Sequence, residues 1–195
     1  MCGIVGAVAQ RDIAEILIEG LRRLEYRGYD SAGLAVVDND CHMTRLREVG
    51  KVQMLAEEAE KTQVIGGTGI AHTRWATHGE PCQDNAHPHV SGTIAVVHNG
   101  IIENYKEIKE YLQKKGYEFV SETDTEVIAH LLDYYYKGNC LEAITKVLGR
   151  VRGSYALGIL FQENPGVMYA VRKDSPLIVG KSSQGNFIAS DVPAI

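Results

Sequence analysis

The C-terminal stretch SYALGILF (154–161), GVMYAVR (166–172), LIVG (177–180) and NFIAS (186–190) decides the fold. Each run is short, apolar and bounded by Asn, Pro, Gly or Ser turns, so four consecutive strands are expected. The links between them are too short for the crossover helix that a parallel pair requires, and the pairing is therefore antiparallel. Working outward, GIVGAVA (3–9) reads as a buried strand at the other end of the chain. A helix follows, in which Ile13, Ile16, Leu17, Leu21 and Leu24 recur at helical spacing behind a capping pair of Asp12 and Glu15, until Arg27-Gly28 stops it. Strands at 33–38 and 42–49 form a hairpin around Asp38-Asn39-Asp40, and a short helix lies near 51–60.

In the middle of the chain GGTGIAHTRWAT (66–77) reads as a strand ending in a loop. The polar segment from Thr77 to Gly92, with Pro81, Pro88, Asn85 and three histidines, reads as one long loop of the kind that tends to carry function. Strand 93–97 runs into His98-Asn99-Gly100, and helices are expected at 104–115, 124–137 and about 140–149. Strands at both ends with helices between them make a layered domain whose sheets are largely antiparallel.

The chain has 195 residues, enough for one domain with a sizeable core. Its net charge of −5, with no dense Lys/Arg run, makes nucleic acid and acidic membranes poor partners. No apolar stretch approaches the roughly 18 residues of a spanning helix, and MCGIVGAVAQRD lacks the positive start of a secretory signal. Cys2, Cys41, Cys82 and Cys140 are too dispersed for a disulfide framework. A soluble, cytoplasmic protein with reduced thiols is expected.

Four constellations carry chemistry. Removal of Met1 would leave Cys2 with a thiol and a free α-amine, a nucleophile and a base on one residue. Position alone favours a buried, inert cysteine. In His72-Thr73-Arg74-Trp75-Ala76-Thr77-His78-Gly79, Arg74 has the fork that holds a carboxylate by two parallel bonds, against the commoner fate of a surface ion pair. Trp75 reads as lid or core, with core the default. The Asn99 amide and the Gly100 N–H could both donate to one oxyanion, because Ile101 and Ile102 lead into a helix rather than a hairpin. In Ser121-Glu122-Thr123-Asp124-Thr125-Glu126, Thr123 and Glu126 have capping-box spacing, and Asp124 falls in a first helical turn, where it could receive an ammonium.

Two other patterns fail. Gly180-Lys181-Ser182 has Ser175 where a P-loop demands glycine. Cys82 with His78, His87 and His89 lacks the paired spacing of a zinc site. No metal and no cofactor is expected.

Taken together, MCGIVG at the start, Tyr26-Arg27-Gly28-Tyr29-Asp30-Ser31-Ala32-Gly33, HTRWATHG, His98-Asn99-Gly100-Ile101-Ile102-Glu103-Asn104 and SETDTE resemble the glutaminase domain of the glucosamine-6-phosphate synthase family. These enzymes are also called glutamine:fructose-6-phosphate aminotransferases (isomerising). The Tyr-Arg-Gly-Tyr-Asp block favours this family over other class II amidotransferases.

The resemblance implies an α+β fold, the four-layer α/β/β/α sandwich with two largely antiparallel sheets of N-terminal nucleophile hydrolases. It implies one glutaminase domain over 1–195, with the family's sugar-phosphate isomerase domain absent from this chain. Cys2 would attack the side-chain carbonyl of L-glutamine and release L-glutamate and ammonia by way of a γ-glutamyl thioester. Asn99 and Gly100 would stabilise the oxyanion, Arg74 would hold the α-carboxylate and Asp124 the α-ammonium. Thr77 and His78 would belong to a closing loop, Trp75 would gate the ammonia, and Arg27 and Tyr29 would lie close by. A homo-oligomeric full-length enzyme is compatible with this pattern. Two other readings stay open: the glutaminase domain of another class II amidotransferase, and a silent domain that binds glutamine or glutamate.

Overall fold

In the computed structural model, which describes residues 1–76 and 79–195, two antiparallel sheets lie face to face between two layers of helices. The chain order is β1 (Gly3–Val8), α1 (Ala14–Leu24), a 3-10 turn (Glu25–Arg27), β2 (Ser31–Val37), β3 (Met43–Val49), α2 (Val52–Thr62) and β4 (Thr68–Arg74). There follow a second 3-10 turn (Gln83–Asn85), β5 (His89–Ser91), β6 (Ile94–Ile102), α3 (Tyr105–Lys114), α4 (Glu126–Tyr135) and α5 (Cys140–Leu148). The chain closes with β7 (Gly153–Phe161), β8 (Tyr169–Lys173), β9 (Ile178–Ser182), β10 (Gly185–Ala189) and a 3-10 turn (Val192–Ala194). One sheet has the order β3-β2-β4-β1-β10-β9 and the other β5-β6-β7-β8.

The two-residue period of a strand explains the layering. In β1, Val5 and Ala7 face α1 and α2, together with Leu34 and Val36 of β2 and Leu17 and Leu21 of α1. Ile4 faces the opposite way and meets Ala35, Ile70, Ala95, Val97, Ala156 and Ile188 between the sheets. In β6, Ile94 and Val96 pack under α3, α4 and α5 with Ile128, Leu131 and Ile144. The chain thus has three apolar layers, one between the sheets and one beneath each helical layer. At roughly 25 cal/mol per Å² of apolar surface buried, these layers are the main stabilising contribution.

The expected hairpin forms at β2–β3, where Asp38 Oδ1 accepts from the amides of Asp40 and His42 at 2.9 and 3.0 Å. Other local expectations give way to tertiary bonds. Asp12 does not cap α1; its Oδ1 accepts from the Gly66 amide at 2.9 Å, tying the start of the helix to β4. The segment 77–92 is not one long loop, because His89–Ser91 pairs with Ile94–Val96. Thr123 and Glu126 form no reciprocal box: Glu126 accepts from the amides of Val120 and Ser121, and Thr123 Oγ1 lies 3.0 Å from His89 Nε2. Burial pushes the Glu126 carboxyl up, but bonds from His130, Ser121 and Val120 outweigh it and hold the pKa at about 2.

The Asn-Gly pair is the largest departure. Instead of ending a strand, Asn99 and Gly100 lie inside β6, opposite Ala156 and Tyr155 of β7. Gly100 has φ +116, and a Cβ there would sit 2.1 Å from the Ser154 carbonyl oxygen. Only glycine lets the strand pass at this point.

Candidate active site

One cavity of about 260 Å³ opens where the two sheets meet, and Cys2, Arg27, Arg74, Trp75, Asn99, Gly100 and Asp124 all line it. Their positions follow from the register. Gly3 pairs with Thr73, which sets Cys2, just before β1, beside the end of β4 and Trp75. Alternation along β4 puts Ile70, His72 and Arg74 on the face toward the second sheet. Alternation along β6 aims Asn99 back at them, so the site is assembled from both sheets.

The Trp75 amide donates to the Cys2 sulfur at 3.2 Å, and the thiol reaches the Trp75 carbonyl at 3.5 Å. Burial pushes the Cys2 thiol above its ordinary pKa; the Trp75 N–H, the chain's N-terminal charge and Arg74 pull it down, and Asp30 pushes it up. Asn99 Nδ2 donates to the Cys2 carbonyl at 3.1 Å. The Met1 ammonium donates to the Arg27 carbonyl at 2.6 Å, and Arg27 Nη2 lies 2.9 Å from the Met1 sulfur. With Met1 in place, the Cys2 nitrogen is a peptide amide and has no basic lone pair.

Arg74 is buried, and its guanidinium donates to the carbonyls of Glu80 and Gly79 at 3.1 and 3.0 Å and lies 3.6 Å from Asp30 Oδ1. Asp124 is also buried, but it precedes α4 by two residues instead of occupying its first turn. Its Oδ2 accepts from the Ile102 amide at 2.8 Å. Trp75 is 52% exposed, which overturns the core default; it covers Gly28, where a Cβ would meet the indole at 2.7 Å. Tyr29 is half-buried and outside the cavity lining, and Thr77 and His78 lie outside the described residues.

At the cavity wall and behind it is a group of buried histidines to which the sequence motifs assign no role; His87 and His98 line the cavity. His72 and His87 stack with ring centres 3.9 Å apart, His98 Nδ1 lies 2.8 Å from Thr125 Oγ1, and His87 Nε2 lies 3.4 Å from the same hydroxyl. Burial lowers all of them, His72 and His89 to about 3 and His98 to about 4, with His87 also well below its ordinary value. They are neutral near pH 7. Asp30, 3.6 Å from the Arg74 guanidinium, likewise has no role predicted from sequence. The available signal was alternation: His72 lies two residues from both Ile70 and Arg74 on one strand face.

Among the described residues, three ligand-type side chains converge at Asp38, Asp40 and His42 in the β2–β3 turn, away from Cys82, His87 and His89. The Asp38 carboxylate there is already bonded to two backbone amides. No helix among the described residues is long and apolar enough to cross a membrane.

A cysteine at the mouth of a two-sheet sandwich, with an amide donor aimed at it, defines the class, and comparison agrees. The chain belongs to the glutamine amidotransferase domain family, whose profile matches residues 72–195. Within that class it is 66% identical to the glutamine–fructose-6-phosphate aminotransferase (isomerizing) of Photorhabdus laumondii and 62% identical to that of Escherichia coli K12. Both matches cover all of this chain and 32% of the relative, so the chain spans about a third of their length. Glutamine phosphoribosylpyrophosphate amidotransferase from B. subtilis superposes with a TM-score of 0.86 at 27% identity, over 99% of this chain and 42% of that one. The sandwich is therefore the N-terminal nucleophile fold of amidotransferases.

Proposed function

We propose that residues 1–195 form a single glutaminase domain that hydrolyses L-glutamine to L-glutamate and ammonia once Met1 has been removed. The observation that carries this reading is the convergence of Cys2, Arg74, Asn99 and Asp124 on one cavity from sites far apart in sequence. The freed α-amine of Cys2 takes the thiol proton, and the sulfur attacks the side-chain carbonyl carbon. Negative charge develops on the amide oxygen, where Asn99 Nδ2 and the Gly100 N–H donate to it. As the tetrahedral intermediate collapses, the amine returns the proton to the leaving nitrogen, ammonia departs and a γ-glutamyl thioester remains. Water then attacks the thioester with the amine again as base, and glutamate leaves.

Arg74 binds the substrate's α-carboxylate and Asp124 its α-ammonium, so charges remote from the reacting bond orient the amide against the sulfur. Both groups are buried, which strengthens their pull on a ligand that excludes water. Peptide-linked glutamine lacks both charges and is rejected. Thr77 and His78 close over the substrate, Trp75 gates the exit of ammonia, and Arg27 and Tyr29 flank the site. The chemistry uses neither metal nor cofactor.

In a protein of the relatives' length, a covalently linked domain would receive the ammonia and convert fructose 6-phosphate to glucosamine 6-phosphate in the cytoplasm. A chain that keeps Met1 is the silent form, binding glutamine without turning it over, because its Cys2 nitrogen is acylated.

An intact mass spectrum after exposure to a glutamine-shaped, thiol-reactive electrophile tests this. The expected result is one adduct on chains lacking Met1, suppressed by excess glutamine and mapped to Cys2. Chains without Met1 that stay unlabelled would overturn the mechanism.

A further inference from the structure

We infer that His72 is a positioning residue that fixes which way the Asn99 side-chain amide faces, holding its NH2 toward Cys2. The inference rests on the reading of Asn99 as an oxyanion donor and adds the group that makes it one.

Donors and acceptors fix the orientation. His72 Nε2 lies 3.0 Å from the carbonyl oxygen of His98 and 3.0 Å from Asn99 Oδ1. Both partners are acceptors, so Nε2 carries the proton and shares it between them. On its other side, the Asn99 amide donates through Nδ2 to the Cys2 carbonyl at 3.1 Å. The opposite amide orientation would press Oδ1 against the Cys2 carbonyl oxygen and turn NH2 toward the protonated Nε2. That arrangement pairs acceptor with acceptor and donor with donor, so only one orientation satisfies both ends.

Three further observations keep the imidazole in this state. His72 is fully buried, and its Nδ1 has no hydrogen-bond partner among the described residues, so a second proton there would be stranded. Burial lowers its pKa to about 3, which keeps the ring neutral near pH 7. The His87 ring lies parallel to it within 7°, which fixes the plane and directs Nε2 at Asn99. Without the Nε2 proton the Asn99 amide is held at one end only, by the Cys2 carbonyl, and a flipped amide would present an oxygen to the developing oxyanion.

The test is carried out on the chain freed of Met1. His72→Phe removes the donor while keeping a flat ring, and should lower kcat for glutamine about 100-fold with KM changed less than about threefold. His72→Gln restores an N–H donor at a comparable reach and should recover kcat to within about tenfold of the unsubstituted chain. In the double variant His72→Phe/Asn99→Ala, kcat should match that of Asn99→Ala to within about threefold, because one group acts through the other. Multiplicative losses, or an unimpaired His72→Phe beside an impaired Asn99→Ala, would overturn the inference. An Asn99→Ala variant with normal kcat would instead strike the oxyanion reading itself.

A nitrogen-15 imidazole spectrum of the unsubstituted chain provides a readout independent of folding in the variants. It should show the His72 proton on Nε2 and a bare Nδ1 from pH 6 to 8. A proton on Nδ1, or a cationic ring, would overturn the inference.

Discussion

The Trp75 amide donates to the sulfur of Cys2 while the carbonyl of the same residue accepts from the thiol. The N–H favours the thiolate and the carbonyl favours the thiol, so the proton has a resting place without being held tightly. The expected outcome for Cys2→Ala is no detectable glutamate release with an unchanged thermal midpoint, because Cys2 is only half-buried and belongs to none of the three apolar layers. Measurable glutamine hydrolysis by this variant would sink the mechanism.

Arg74 already donates to the carbonyls of Gly79 and Glu80, so under the proposed function it would both tether that loop and receive a carboxylate. Lysine keeps the charge and loses the fork. Arg74→Lys should raise KM for glutamine by about tenfold or more, roughly 1.4 kcal/mol, and lower kcat less. Steady-state kinetics decide it, and an unchanged KM would mean that Arg74 serves only the loop.

Asp124 separates charge from hydrogen bonding. Asp124→Asn keeps an oxygen for the Ile102 amide and removes the charge, so KM should rise while the melting temperature holds. Asp124→Ala strands that buried N–H as well and should cost about 1–3 kcal/mol of stability. Chemical denaturation beside glutamine kinetics separates the two effects; equal KM values for Asp124→Asn and the unsubstituted chain would remove Asp124 from substrate binding.

Gly100→Ala should be among the most damaging single-methyl additions. The new Cβ would lie 2.1 Å from the Ser154 carbonyl at φ +116, so β6 and β7 must part locally. A loss of about 2 kcal/mol or more is expected, together with loss of turnover as Asn99 shifts. A variant with normal stability would mean that the strand pair adapts freely.

These last two predictions mark where sequence reading stops. The strand runs at 3–9, 93–97 and 154–190 were legible because alternation and turn residues are local signals. The convergence of Cys2, Arg74, Asn99 and Asp124 came from motif blocks taken together, not from spacing. Local sequence places a strand end at Asn99 and Gly100, whereas the strand continues alongside β7, and the close approach of Ser154 lies more than fifty residues away. Thr123 and Glu126 have the spacing of a local cap, yet His89, Ser121 and Val120 claim their side chains. The histidines looked like polar loop residues because nothing local says that His87 and His89 fold inward over Thr123 and Thr125.

The buried histidines predict an acid limit. Their pKa values in the folded chain lie below the ordinary 6.5, at about 3 for His72 and His89 and about 4 for His98, with His87 also lowered. Above pH 6.5 neither folded nor unfolded chain binds these protons, and stability is unaffected. Below it the unfolded chain takes them up and the folded chain does not. Stability should therefore fall as pH drops from 6.5 toward 4, by about 1.4 kcal/mol per pH unit for each histidine that stays neutral. Urea unfolding at pH 7, 6 and 5 measures this, and a flat profile would mean that the rings bind protons within the fold.

Cys2 stands at the head of a strand in one sheet, and Asn99 sits in the middle of a strand in the other. The Ile4, Ile70 and Val97 layer packs between those sheets and spaces them. Glutamine turnover is therefore a gauge of how the two halves dock. A core substitution that lets one sheet slide by an ångström would silence the enzyme while its circular dichroism and helix content stayed intact. Inactive variants with native-looking spectra should cluster in that middle layer, whose side chains do not line the cavity.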